Sequence, residues 1–386
     1  MRQEFLPFHR PSIGELEIQE VTDTLRSGWV TTGPKVKQFE GEFADYVGST
    51  HAVALNSGTA ALHLALSAIG LESGDEVIVP TNTFTATAEV VTYFGATPVM
   101  VDCRRDTFHI DEQMLEERIT HRTKAVIPVH MAGQPCQMDA IMEIAAAHDI
   151  RVIEDAAHAL PSRFGTDMVG TIGDITAFSF YATKTITTGE GGMATTDNEE
   201  FADRMRVMSL HGISKDAWKR YTSEGSWYYE VVDAGYKYNM TDVAAAMGIA
   251  QLTRATEFRD RRADIATAYN NGFADLDAVR VPIAIDDALH AWHLYIILID
   301  PEALEIDRAR FVEELRARNI GSSVHFIPLH LHPFYQSKFG HRAGDFVNAE
   351  WVYERCISLP KFPDMTDGDV TDVIEAVHDV ARTHRR

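Results

Sequence analysis

Short apolar runs alternate with amphipathic stretches through the first two-thirds of the chain. The runs His51–Leu55, Glu76–Pro80, Thr97–Val101, Lys124–Val129, Arg151–Glu154, Ile175–Phe180 and Gly192–Thr195 have strand length. Between several of them, Ala60–Ile69, Thr85–Phe94, Asp111–Ile119 and Met138–His148 place apolar residues at helical spacing, as Gly14–Leu25 does near the start. Strands alternating with helices predict an α/β fold whose mainly parallel seven-stranded sheet is covered on both faces. A longer helical stretch, Thr241 to Phe273, connects this region to a second pattern: a strand at Ala291–Ile299, a helix at Arg308–Arg318, a strand at Ser322–Phe326, and helices at Phe346–Cys356 and Asp367–Thr383. The expected division is a large domain over residues 1–250, including the N-terminal segment, and a small C-terminal α/β domain over 251–386.

Charge narrows the partners. The chain has 386 residues with 35 Lys and Arg against 57 Asp and Glu, a net charge of −22. Such an excess repels nucleic acid and anionic membranes, so neither is expected as a partner, and an anionic substrate needs local positive charge or helix N-termini. Three cysteines, Cys103, Cys136 and Cys356, lie far apart without CxxC spacing, which suggests reduced thiols. Neither the N-terminus nor any other stretch has the apolar run of a signal or spanning segment, and a cytoplasmic protein is the expectation.

Three groups of residues carry candidate chemistry. In Phe178–Gly192 an apolar run ends in Lys184, set among hydroxyls and before a glycine-rich turn. A lysine in partly apolar surroundings has a depressed pKa and attacks carbonyls as the free amine. Asn56-Ser57-Gly58-Thr59-Ala60 joins a strand to a helix start, where free N–H groups suit a phosphate, although Ser57 or Thr59 also reads as a plain N-cap. Asp155 ends another apolar strand, with His158 three residues on, and a buried aspartate there needs a cationic partner. A phosphate cradle, a strand-end aspartate and a later strand-end lysine are what pyridoxal phosphate (PLP) requires: an amine for the Schiff base and a carboxylate that keeps the pyridine nitrogen protonated. Ser179 adds a hydroxyl to the phosphate side.

With these residues in order, the chain resembles the DegT/DnrJ/EryC1/StrS sugar aminotransferases of PLP fold type I. The resemblance runs nearly end to end, through Ser27–Pro34, Ser57–His63, Pro80–Phe84, Glu154–His158, the Lys184 segment, Gly235–Asp242, His325–His330 and Leu359–Pro363. It implies that Lys184 carries the cofactor, Asp155 partners the pyridine nitrogen, and Phe84 stacks on the ring. It also implies that Gly58, Thr59 and Ser179 hold the phosphate, which Asn239 reaches from a neighbouring subunit, making a homodimer with shared sites. His158 stands where most relatives carry glutamine near the phenolic oxygen. Tyr181-Ala182-Thr183 departs from the histidine-containing pattern common before the lysine. Trp29, Thr31 and Lys237 are implied nucleotide or sugar contacts, with Trp29 equally readable as a hydrophobic anchor, and His325 and His330 form the substrate-side wall.

His325, His330 and His332 lack the acidic partner and spacing of a metal site, so no metal is expected. The implied reaction moves an amino group from L-glutamate to a keto-sugar nucleotide, releasing 2-oxoglutarate. Retention of a lysine at 184 favours transamination over the family's dehydratase branch, where histidine stands there. The tract His130–Pro135, with Gly235–Asn239, looks most like the branch that forms 4-amino-4-deoxyarabinose and points to a 4-keto sugar. A dehydratase or epimerase on the same scaffold, or a non-catalytic PLP-binding regulator, are the alternatives.

Overall fold

The computed structural model describes residues 2–214 and 228–386. Its elements run α1 (Glu15–Ser27), α2 (Pro34–Val47), β1 (His51–Leu55), α3 (Gly58–Ala68), β2 (Glu76–Pro80), α4 (Ala86–Thr92), β3 (Thr97–Val101), β4 (Thr123–Val126), α5 (Met138–His148) and β5 (Arg151–Asp155). There follow β6 (Arg163–Phe164), β7 (Asp167–Met168), β8 (Ile175–Ser179), β9 (Gly192–Thr196), α6 (Glu199–Ser209), α7 (Asp242–Thr253) and α8 (Ala255–Phe273). The C-terminal part holds β10 (Val279–Arg280), β11 (Ala288–Leu289), β12 (Tyr295–Ile299), α9 (Arg308–Ala317), α10 (Pro333–Phe339), α11 (Val347–Tyr353), β13 (Cys356–Leu359) and α12 (Asp367–Thr383). Among the described residues no helix is long and apolar enough to cross a membrane.

The main sheet has seven strands in the order β1-β9-β8-β5-β4-β2-β3. All pairings from β8 to β3 are parallel, and β9 alone runs against its neighbours β1 and β8. Both faces are dry, as a parallel sheet requires. On β2, Val77 and Val79 pack with α3 and α4, while Ile78 faces the other way onto Ile141 and Ala145 of α5. This alternation is the strand period of two acting inside a continuously apolar run. A further cluster joins Phe39 and Phe43 of α2, Phe178 of β8, Phe180 and the α7 residues Ala245, Ile249 and Leu252.

The C-terminal residues build a separate core around a three-stranded sheet, β10-β12-β13, clad by α8, α9 and α12. Leu6 belongs to it: its N–H and C=O pair with Asn319 and Gly321, so the N-terminal segment crosses onto this layer.

Several expected elements differ. Asp111–Ile119 is a pair of single 3₁₀ turns, Glu112–Met114 and Glu116–Arg118, because Leu115 is the one well-buried apolar side chain in an otherwise polar stretch. The Thr241–Phe273 stretch breaks at Arg254 (φ −104°, ψ 1°), whose guanidinium reaches Glu17 of α1 at 3.4 Å. Ser322–Phe326 is not a strand; Ser323 alone bridges to Ser358, and the chain then turns inward. The Ala291–Ile299 strand starts only at Tyr295, since Ala291 and Leu294 instead donate their N–H groups to Gly133 and Ala132. Helices α2 and α6 escaped the periodicity reading, although Pro34 at the first turn of α2 and the Asn198 cap of α6 mark their starts.

Candidate active site

The parallel strands deliver their C-terminal ends to one crevice, where open α/β sheets bind ligands. A cavity of about 360 Å³ lies there, and residues from the ends of β1, β2, β5 and β8 line it. It brings together Ser57, Gly58, Thr59, Phe84, Asp155, His158, Ser179, Lys184 and His325 from positions spread over more than two hundred residues of sequence.

The β1–α3 turn is shaped by two close approaches. Ser57 accepts from the Ala60 N–H at 3.0 Å, capping α3, so the plain N-cap and the cradle are the same turn. A Cβ on Gly58 would sit 2.9 Å from Ser179 Cβ and 3.3 Å from the Phe178 carbonyl, which only glycine avoids. The first N–H groups of α3 thus open beside Ser179 with room for an anion.

Asp155 is buried and held from two sides. Thr87 Oγ1 donates to its Oδ2 at 2.8 Å and the Ala157 N–H to its Oδ1 at 3.1 Å. With its one hydrogen spent on Asp155, Thr87 accepts from Thr83 Oγ1 at 2.8 Å. Burial pushes the Asp155 pKa up, and these hydrogen bonds with Lys184 pull against it. Behind it, Glu154 accepts from His130 Nε2 (2.9 Å), the Gly173 N–H (2.8 Å) and Thr176 Oγ1 (2.7 Å). His130 Nδ1 accepts from the Cys136 N–H, which makes Nε2 the protonated nitrogen. Burial would raise the Glu154 pKa, but these donors hold it below its usual value.

Lys184 follows a tight turn, its N–H donating to the Tyr181 carbonyl at 2.9 Å. Burial lowers its pKa to about 8, with Asp155 as the one opposing charge. An amine so placed has a far larger neutral fraction near physiological pH than an ordinary lysine, though still a minority, and remains within the field of a carboxylate.

The opposite wall is unlike this one. His158 and His293 lie with ring centres 4.5 Å apart, His158 stacks toward Phe326 at 6.1 Å, and Phe326 faces Phe84 at 6.0 Å. The Nδ1 atoms of both histidines are buried without a hydrogen-bond partner. Burial lowers the pKa of His158 and His293 well below the ordinary value, and that of His325 to about 4. Sequence reasoning missed His293 because it lay inside an assigned strand. Its place depends on Gly133 (φ +97°), where a Cβ would meet the His158 carbonyl at 2.7 Å and the His293 nitrogen at 3.0 Å.

Five named residues lie off this cavity. His330 is fully buried, bonded to Thr81 Oγ1 (2.9 Å) and Glu350 Oε1 (2.9 Å), and joins α11 to the β2–α4 loop. Asn239 lines a neighbouring cavity of about 350 Å³, which shares Glu190 with the first, and its Nδ2 donates to Thr32 Oγ1 at 2.6 Å. Trp29, Thr31 and Lys237 are exposed; the Thr31 and Lys237 carbonyls accept from the Asp242 N–H and Asn56 Nδ2.

Comparison with known proteins gives this arrangement a lineage. The chain is 53% identical to the spore coat polysaccharide biosynthesis protein SpsC of Bacillus subtilis, over 99% of this chain and 98% of the other. Its structure matches the putative sugar aminotransferase Spr1654 of Streptococcus pneumoniae, solved in PLP and PMP forms; the PMP form gives a TM-score of 0.92 at 38% identity, covering 98% of both chains. Helicobacter pylori PseC, an aminotransferase of pseudoaminic acid biosynthesis, matches with a TM-score of 0.91 at 28% identity, over 99% of this chain and 100% of the other. The model of the DegT/DnrJ/EryC1/StrS aminotransferase family matches residues 11–378, and the chain belongs to that family.

Proposed function

We propose that this protein transfers an amino group from L-glutamate to a 4-keto sugar carried on a nucleotide, giving a nucleotide-linked amino sugar and 2-oxoglutarate. The cofactor of its sugar aminotransferase chemistry is pyridoxal 5'-phosphate. The observation that carries the reading is the meeting of Lys184, Asp155 and the Ser57–Thr59 turn in one cavity. The cavity fits that group: the Gly58 cradle is one that a Cβ would fill, the amine is neutralisable, and Lys184 is the chief cation acting on the buried carboxylate among the described residues.

When bound, the cofactor supplies an electrophilic carbon for amines and a ring that accepts the electron pair of a broken C–H bond. Lys184 would hold it covalently until a donor amine takes its place, and the freed Nζ would then act as general base toward the donor α-carbon proton and as acid in returning one. Asp155 would keep the ring nitrogen protonated, Ser57, Gly58, Thr59 and Ser179 would hold the phosphate, and Phe84 would cover the ring. His158 would hydrogen-bond the phenolic oxygen. His325 contacts the sugar, Trp29, Thr31 and Lys237 serve the nucleotide, and Asn239 completes the phosphate site of a second subunit in a homodimer. The exposed Leu16, Ile18, Trp29 and Val30 support such a pairing.

Of the arabinose-forming likeness only the 4-keto position is kept, and the arabinose product is not. In the tract that suggested it, His130 is tied to Glu154, and Gln134 Oε1 accepts the Ile285 N–H at 2.8 Å, so both residues are scaffold behind the cavity. The named relatives serve a spore coat polysaccharide and pseudoaminic acid instead. The test is direct: the purified protein shows a visible absorbance band that glutamate bleaches and borohydride fixes on Lys184. A panel of 3-keto and 4-keto nucleotide sugars then returns amine transfer to the 4-keto set. Absence of the band refutes the cofactor assignment, and transfer to 3-keto sugars alone refutes the position.

A further inference from the structure

His158, His293 and His325 line one side of the cavity, and further bases, Arg262, Lys361 and His9, lie outside its lining. His293 is 6% exposed, and its Nδ1 is buried without a partner; its Nε2 is neither buried nor hydrogen-bonded, so that nitrogen faces the cavity. The main groups acting on His293 electrostatically are His158, Lys184, Arg262 and His9, every one a base. Arg262 is 1% exposed, donates to the Lys361 carbonyl at 2.9 Å and leaves its Nε unpaired. Lys361, equally buried, donates to the Leu294 carbonyl at 3.3 Å and sits 4.9 Å from the Trp292 ring centre. His9 bonds the Ala182 carbonyl in the Lys184 turn at 3.0 Å. His325 completes this side, its Nδ1 meeting Ser358 Oγ at 2.8 Å. No carboxylate stands among the principal influences on His293, Arg262, Lys361 or His9, whereas Lys184 has Asp155 against it. The histidines are neutral there and offer hydrogen bonds, while the buried charge of Arg262 is costly to leave alone and an anion arriving with a ligand offsets it.

We propose that this basic wall, with His293 as the donor, receives the α-carboxylate of an amino-acid amino donor. The proposal rests on the aminotransferase reading above. Of the anions that reading brings to the cavity, the cofactor phosphate has the α3 N-terminus, on other elements. The diphosphate of a nucleotide sugar is several bonds from its keto carbon. The α-carboxylate is attached to the carbon that bears the reacting amine, so it must lie near Lys184, as His293 does.

The probe is maleate, an unreactive dicarboxylate, compared with its diamide by calorimetry on the cofactor-loaded protein. Wild type binds maleate at least about tenfold more tightly than the diamide. His293→Phe, which keeps the ring stack but donates nothing, loses that preference, and His293→Gln restores it to within about threefold. The apparent KM for glutamate rises in parallel in His293→Phe. Equal binding of maleate and diamide by the wild type overturns the proposal without any variant, and so does an unchanged preference in His293→Phe. Failure of glutamate to bleach the wild-type visible band sinks the aminotransferase reading instead, so the two failures are distinct.

Discussion

The two walls of the cavity are built to different standards of polar satisfaction. On the sheet side, both Asp155 oxygens accept hydrogen bonds, and Glu154 behind it has three donors. On the histidine side, His158 and His293 each bury an Nδ1 with no partner. A buried polar atom left unpaired costs about 1–3 kcal/mol. The first wall is therefore preorganised by the protein alone, while the second leaves polar atoms unpaired.

The comparison breaks most sharply at Lys184, the residue between the walls. Lys184→Ala loses proton transfer and covalent capture together, so glutamate-dependent amine transfer falls by about 10³-fold or more. Turnover near the wild-type rate in that variant refutes the assignment. The same lysine sets a pH test. Its pKa is lowered to about 8, so the neutral, attacking amine is the minor form below that pH. Capture of added pyridoxal phosphate by the cofactor-free protein should speed up about tenfold per pH unit up to 8 and level off above it. A profile still rising toward pH 10 contradicts the shift.

Asp155→Asn keeps the shape of the satisfied wall and removes its charge. Turnover is expected to drop by roughly 10²-fold or more, while the melting temperature changes by only a few degrees, because an uncharged amide relieves the desolvation of the carboxylate. A large loss of stability would show that the carboxylate is structural. Gly58→Ala forces a methyl against Ser179 and the Phe178 backbone; overpacking of this kind costs about 1–3 kcal/mol and should appear as weakened cofactor retention on dialysis. Thr87→Val is the mildest. It removes one of two hydrogen bonds to Asp155, raises the Asp155 pKa further, and moves the acid limb of the pH–rate profile to higher pH, with about 1 kcal/mol lost from kcat/KM. An unmoved acid limb would mean that the Ala157 N–H alone positions the carboxylate.

Legibility in the sequence followed the locality of the cause. The strands β1, β2, β3 and β5 and the helices α3 and α5 were readable from short-range periodicity, and Lys184, Asp155 and Ser57 from their places at strand ends. The second class of feature was hidden. Asp111–Ile119 has helical spacing, but too little apolar surface to bury, and becomes 3₁₀ turns. His330 carried the same kind of signal as His325, yet one is sealed between Thr81 and Glu350 and the other lines the cavity.

By itself, the sequence determined the alternating architecture, the family, and the amine, carboxylate and glycine turn to which the proposed chemistry is assigned, because each is written in a few adjacent residues. Tertiary structure alone decided what surrounds them. The Thr83–Thr87–Asp155 chain, the Gly133 turn that admits His293, and the buried bases Arg262 and Lys361 join residues from distant segments. Their burial and missing partners come into being only when those segments pack, since desolvation is a property of the assembled interior.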